Sequence, residues 1–169
     1  RVPTLKNMRF GDAVFPFMRK RARDALVRVV KKGRRHRIKF NSMLRTVAQQ
    51  FLLYDWYQTK RCGIKLAAVP GQSNHQSGLA IDISSPRRWR KRLQRGGFRW
   101  LGKRDRWHFD YVGSKKRRPK KNKGLDIRAF QRLWNRNHPA EAIAEDGGWG
   151  DSTEDALRRA PADGFRIGP

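Results

Sequence analysis

The sequence predicts an α+β fold: a small antiparallel sheet flanked by helices, followed by a small helical module. Three observations carry this. Apolar residues recur every three or four positions around 12–31, which is helical spacing, and a second helix is expected at about 46–60. Short alternating runs at 37–41, 98–101 and 107–111 read as strands between glycine-rich turns. The charge balance changes sign near residue 125, which separates a second module from the first.

In chain order, Val14, Met18, Ala22, Ala25 and Val29 form one apolar stripe, with Arg19, Lys20, Arg23 and Arg28 off it. A helix over 12–31 follows, capped by Asp12 and ended by Lys31-Lys32-Gly33. Arg37-Ile-Lys-Phe-Asn41 alternates as a strand. A second helix, about 46–60, carries Val47, Phe51, Leu52, Tyr54 and Trp56, an aromatic cluster read as core. Residues 63–78 are loop, with a Pro70-Gly71 turn. Leu79–Ile83 is a buried strand with one polar residue, Asp82, and 86–95 is a short basic helix stopped by Gly96-Gly97. The runs 98–101 and 107–111 pair as antiparallel strands, so helices and strands mix in the α+β manner.

Residues 1–112 form the first domain. Residues 113–124 lack apolar periodicity and are a basic linker. In 125–169, Ile127, Phe130, Leu133 and Trp134 mark one helix, and a second opens near Asp151 or Ser152 as its cap. His36 and His138 are surface or capping residues.

The net charge is +27, but its distribution says more than its size. Residues 1–124 hold 35 Lys and Arg against six carboxylates, all Asp, whereas 125–169 hold six Arg against eight carboxylates. Such a basic first module invites a polyanionic partner, by attraction that weakens with salt. A nucleic-acid- or cell-wall-binding protein without catalysis is one reading of that charge. No apolar run approaches the ~18 residues of a membrane span. The chain starts at Arg1 with no leader after it, so a fragment or processed form is expected. Cys62 is the only cysteine, which excludes an internal disulfide and leaves it a structural or incidental thiol.

Two segments carry chemistry. Ser73-Asn-His75-Gln-Ser-Gly78-Leu-Ala-Ile-Asp82 and Asp105-Arg-Trp-His108 together offer His, Asp, His and a further carboxylate. Gly78 lets the loop fold back so that His75 and the strand residue Asp82 meet one ion, with His108 from a neighbouring strand as third ligand. Two imidazoles and one carboxylate suit a single Zn²⁺ and leave a fourth position for water. Asp105, three residues before His108, can accept that water's proton and pass it to a leaving amine. Asp110 is read only as a partner for surrounding Arg.

The flanking residues extend the pattern. Ser73-x-His75-x-x-Gly78-x-Ala80-x-Asp82, then Gly97-Phe98-x-Trp100, then Asp105-x-Trp107-His108-Phe109, resembles the D-alanyl-D-alanine carboxypeptidase family of zinc peptidases, with its VanY-like, vancomycin-resistance dipeptidase and endolysin members. Upstream, Ser42–Thr46, Gln49-Gln50 and Ala68–Gly71 resemble the same family. The resemblance implies zinc ligands His75, Asp82 and His108, catalytic base Asp105, Arg45 as the cation at the substrate or transition state, and Ser73 as a lesser substrate contact. It implies D-Ala-D-Ala carboxypeptidase action on peptidoglycan stem peptides, and hence an extracellular, periplasmic or cell-wall location with anionic envelope polymers as further partners. No specific nucleic acid is expected. Many family carboxypeptidases carry Glu at the base position; Asp resembles the endolysin-like members and leaves L,D-endopeptidase action as the alternative. The tail, with Phe130-Gln131-x-Leu133-Trp134 and Asp146-Gly147-x-Trp149-Gly150-x-x-Thr153-x-x-Ala156-Leu157, resembles a three-helix peptidoglycan-binding module.

Overall fold

The computed structural model describes residues 1–113, 122 and 124–165; of the expected linker, all but Gly113, Asn122 and Gly124 lies outside them. The chain forms two compact units, Arg1–Arg45 with Asn74–Lys121 and Thr46–Ser73 with Asn122–Pro169. The stretch 46–73, read from sequence as part of the first domain, therefore clusters with the tail.

The first unit is a five-stranded sheet in the order β1-β2-β3-β5-β4, with β1 Met8–Phe10, β2 Ile38–Ser42, β3 Ala80–Ile83, β4 Phe98–Trp100 and β5 His108–Tyr111. Pairing is antiparallel from β2 to β4, while β1 adds to β2 in parallel at the edge. Three residues are too few to show an alternation, so β1 escaped the sequence reading. Helices α1 (Lys20–Lys32) and α3 (Pro86–Arg95) supply Leu26, Val30, Trp89 and Leu93 to a core shared with Ile38, Phe40, Ile81, Ile83 and Phe109.

Helix α1 starts eight residues later than expected, and Asp12 is exposed and caps nothing. Pro16 explains this: it lacks an N–H and pushes Phe15 out of the helical region. Phe15 instead bridges Leu44, and Arg19 is still extended at ψ 144°. Val14 and Met18 are buried all the same, so the apolar stripe is real but only Ala22, Ala25 and Val29 of it are helical.

In the second unit, α2 (Val47–Gln58) begins with a full capping box, Thr46 accepting from the Gln49 N–H and the Gln49 side chain accepting from the Thr46 N–H. Its aromatic cluster is not core. Only Val47 and Gln50 are buried; Leu52 and Tyr57 are exposed and Phe51, Tyr54 and Trp56 half-buried. Apolar residues surround the helix rather than lining one face, so no single packing surface can cover them. Phe51 packs against Trp149 with tilted rings 5.6 Å apart, and Asp55 pairs with Arg158 at 2.8 Å. Helix α4 (Leu125–Asn137) buries Ile127, Gln131 and Trp134, and its C-cap His138 stacks on Trp134 at 3.9 Å. Helix α5 (Asp151–Arg159) has no side-chain cap: its N-cap is Gly150, and Asp151 and Ser152 lie inside the first turn. Asp151 there still favours the positive end of the helix dipole.

Candidate metal centre

Strand register builds the centre. In an antiparallel pair, side chains alternate between faces and directly opposed residues stand side by side. Asp82 opposes His108, and Ala80 opposes Asp110, so Asp82, His108 and Asp110 share one face. Ile81, Ile83 and Phe109 take the other and enter the core under α1 and α3.

On the far side of β3 the register slips between Phe40 and Ser42, so that Ser42 opposes Asp82. Regular alternation would leave Ser42 on the same face as the core residue Phe40. The bulge turns it to the Asp82 face, a re-aiming typical of bulges beside sites. There it accepts from Arg45 Nε at 2.9 Å, and Arg45 Nη2 donates to Asp82 Oδ2 at 2.7 Å.

His75 sits on the loop before β3. Its backbone carbonyl accepts from the Gly78 and Arg45 N–H groups, and Leu79 N–H returns to Asn74 O. Gly78 has φ +62°, and a Cβ there would stand 3.1 Å from the Arg19 nitrogen, so both conformation and space call for glycine.

The two imidazoles are oriented by their second nitrogens. His75 Nδ1 donates to Met43 O at 2.7 Å, which turns Nε2 inward. His108 Nε2 donates to Asp110 Oδ1 at 2.8 Å, which turns Nδ1 inward. Nε2 and Nδ1 then stand 3.1 Å apart, with Asp82 Oδ2 3.3 Å from the first and Asp82 Oδ1 3.0 Å from the second. Donor atoms of His75, Asp82 and His108 all lie within 4.8 Å of one another, a grouping able to hold a metal ion. Imidazoles fixed by an outer carbonyl or carboxylate are the usual support of a metal site.

The electrostatics point the same way. Burial opposes charge on His108, but Asp110 and Asp82 outweigh it and push His108 up to about 9. Burial alone would raise Asp82; His75, His108 and Arg45 hold it well below the usual carboxylate range. Burial lowers His75, and also Arg45 against the pull of Asp82. The site thus favours positive charge where His75 Nε2, His108 Nδ1 and Asp82 meet. A proton on His108 Nδ1 satisfies it, and a divalent cation on the same three atoms satisfies it too. The donor set fits such a cation.

Asp105 lies in the β4–β5 loop, where the Trp100 indole donates to Arg106 O at 2.9 Å and pins the turn. Burial and the neighbouring Asp82 raise its pKa, and it lies within electrostatic reach of His108, His75 and Arg45. Its Oδ1 is buried without a hydrogen-bond partner among the described residues, a costly placement for a carboxylate that has no task. Ser73 is buried and ends a segment of the second unit, where the chain passes into Asn74 and His75.

The sequence reading undervalued Asp110. It does pair with Arg99, at 3.1 Å, but its Oδ1 also accepts from His108 Nε2 and from Asn74 Nδ2, each at 2.8 Å. One buried carboxylate thereby ties the strand bearing His108 to the loop bearing His75. The signal was available: Asp110 is two residues from His108, hence on its face of the strand.

The family model for VanY, D-alanyl-D-alanine carboxypeptidase, matches residues 16–103, which takes in Arg45, Ser73, His75 and Asp82 and stops before Asp105 and His108. No curated protein matches. Among solved structures, the chain is similar to the LD-carboxypeptidase LdcB, at 25% identity over 62% of this chain and 67% of that one, TM-score 0.48. It is similar to a Zn(II) complex of the vancomycin-resistance D,D-pentapeptidase VanY, at 22% identity over 57% and 73%, TM-score 0.46. A third is the L,D-carboxypeptidase DacB from Streptococcus pneumoniae, at 24% identity over 58% and 68%, TM-score 0.44. With its family model matched over more than half its length, the chain belongs to the VanY family of D-alanyl-D-alanine carboxypeptidases.

Proposed function

We propose that the chain is a zinc-dependent peptidase that hydrolyses peptide bonds of bacterial peptidoglycan stem peptides, acting as a D-Ala-D-Ala carboxypeptidase outside the cytoplasm. The observation that carries this reading is the convergence of His75 Nε2, His108 Nδ1 and the Asp82 carboxylate, with Asp105 within electrostatic reach and its Oδ1 buried without a hydrogen-bond partner among the described residues. His75, Asp82 and His108 would hold the ion, and nitrogen and carboxylate donors suit Zn²⁺. Bound there, zinc supplies Lewis acidity, acidifying a water and polarising a carbonyl.

The chain's own residues supply the rest. Asp105 Oδ1 accepts the proton of the attacking water and returns it to the departing amine, which needs an ionised carboxylate first and an acid afterwards. A raised pKa suits both halves of that cycle. Arg45, anchored by Ser42 and Asp82, keeps a positive charge beside the site for the substrate's terminal carboxylate or the developing oxyanion. Ser73 is assigned a lesser substrate contact.

One feature favours a second reading. Asp105 is one methylene shorter than the Glu common at this position in family carboxypeptidases, and Asp there resembles the endolysin-like members that cut within the stem peptide. That resemblance supports L,D-endopeptidase action within the same stem peptide as the alternative. Mass spectrometry of defined peptidoglycan fragments after digestion separates the two. Loss of a terminal D-Ala supports the carboxypeptidase, and a split stem peptide the endopeptidase. Cleavage that survives both chelation and Asp105→Ala would overturn the mechanism.

A further inference from the structure

The core-side helices of the first unit carry a feature the peptidase chemistry does not use. Ala25, Arg28, Val29 and Lys32 recur at the spacing of one face of α1. This face meets the C-terminal end of α3 across a groove of about 440 Å³. Arg28, Lys32, Arg92 and Arg95 rim it, and Ala25, Val29 and Gly96 form an apolar floor. Gly96 sets the approach, since a Cβ there would fall 2.2 Å from Val29 Cγ2. A second cavity of about 420 Å³ shares Lys32 and Arg92 and adds Lys31, Arg34 and Arg35. The two form one continuous strip with seven cations.

These seven cations have no carboxylate partner among the described residues. No carboxylate is among the residues lining either cavity, and Asp24 on α1 is held by Arg23 at 2.8 Å. A few basic residues in a last helical turn offset the helix dipole, but Arg34 and Arg35 lie beyond α1 and have no such task. Two joined cavities suit consecutive anionic groups along a chain better than one small ion. Apart from the half-buried His36, no aromatic ring lines either cavity, so the strip has nothing on which nucleic-acid bases would stack.

We propose that the strip between α1 and α3 is a binding track for a linear polymer of repeating phosphate groups without bases, of the teichoic-acid type. The core lies between this track and the sheet face bearing Asp82, His108 and Asp110, so a chain held by the track keeps that face free. The groove itself supports the track, while the choice of a cell-wall polymer as its occupant rests on the peptidase reading.

The test is a titration of the full chain with purified ribitol-phosphate teichoic acid at ~0.15 M salt, where long-range attraction is largely screened. The variant Arg28→Gln/Lys32→Gln/Arg92→Gln/Arg95→Gln should bind at least about tenfold more weakly. A control with the same charge loss on other exposed positions, Lys6→Gln/Lys20→Gln/Arg21→Gln/Lys39→Gln, should lose no more than about threefold. Arg92 is half-buried over Trp89, so the triple variant sparing it serves if the quadruple variant fails to fold. Equal weakening in groove and control variants would overturn the track, leaving only the total charge. A single-stranded oligonucleotide of matched charge that binds as tightly as the teichoic acid would overturn the assignment of the polymer.

Discussion

Asp110 in the first unit and Gln131 in the second are both buried polar side chains at the centre of a hydrogen-bond network, and the networks differ in kind. The Gln131 amide donates to Asp146 Oδ1, Gly148 O and Thr153 Oγ1 and accepts from Gly147 N–H, so every partner is neutral or already outward-facing. It closes the 146–150 turn onto α4 and α5 and leaves no donor atom directed elsewhere. Asp110 fixes one imidazole so that its other nitrogen faces a second imidazole and a carboxylate. A network that satisfies itself stabilises a fold; one that aims its remaining lone pairs at a single point can bind something there.

Substitutions can break or sharpen this contrast, and the largest effects belong to the first network. His75→Ala or His108→Ala should reduce zinc from one equivalent to none and abolish peptidoglycan hydrolysis, read by metal analysis and fragment release. Asp105→Asn should retain zinc yet lower kcat by about 10²- to 10⁴-fold, the range for a lost acid–base group. Because burial and the neighbouring Asp82 raise the Asp105 pKa, the wild-type acid limb should lie above the value of an ordinary aspartate. Activity is present while Asp105 is ionised and falls as the pH drops through that value. Asp110→Asn should weaken zinc binding about 10- to 100-fold in a chelator competition, as for other outer partners of ligating histidines.

Gln131→Ala should leave zinc affinity unchanged and lower stability by about 1–3 kcal/mol, the cost of stranding buried partners, as measured by denaturant unfolding. A fall in zinc affinity in that variant would erase the contrast between the networks. Smallest of all, Thr46→Ala should cost about 1 kcal/mol through loss of the α2 cap.

The residues of the centre were legible in the sequence because their spacing is chemical as well as structural. Asp82 on an apolar strand and His108 in an aromatic one stand out against a first module with only six carboxylates. What failed to show had physical causes. The bulge that re-aims Ser42 depends on pairing with β3, which local pattern does not encode. The start of α1 was hidden because Val14 and Met18 are buried in either conformation, and only Pro16 argued against a helix. The exposure of the α2 aromatics was missed because composition marks a residue as apolar without saying whether a partner surface exists. An Asp beside many Arg has a ready explanation in sequence, and Asp110 does pair with Arg99, but its bond to His108 is fixed by strand register.

That register has an energetic consequence. Asp82 and His108 face each other across a backbone ladder, so their separation is set by main-chain hydrogen bonds that form when the sheet forms. The entropy of bringing two of the three proposed ligands together is met by folding itself. A centre assembled in this way arrives preorganised: chelation should remove the ion without unfolding the domain, and the fold should melt later with zinc only by the margin that ligand linkage adds.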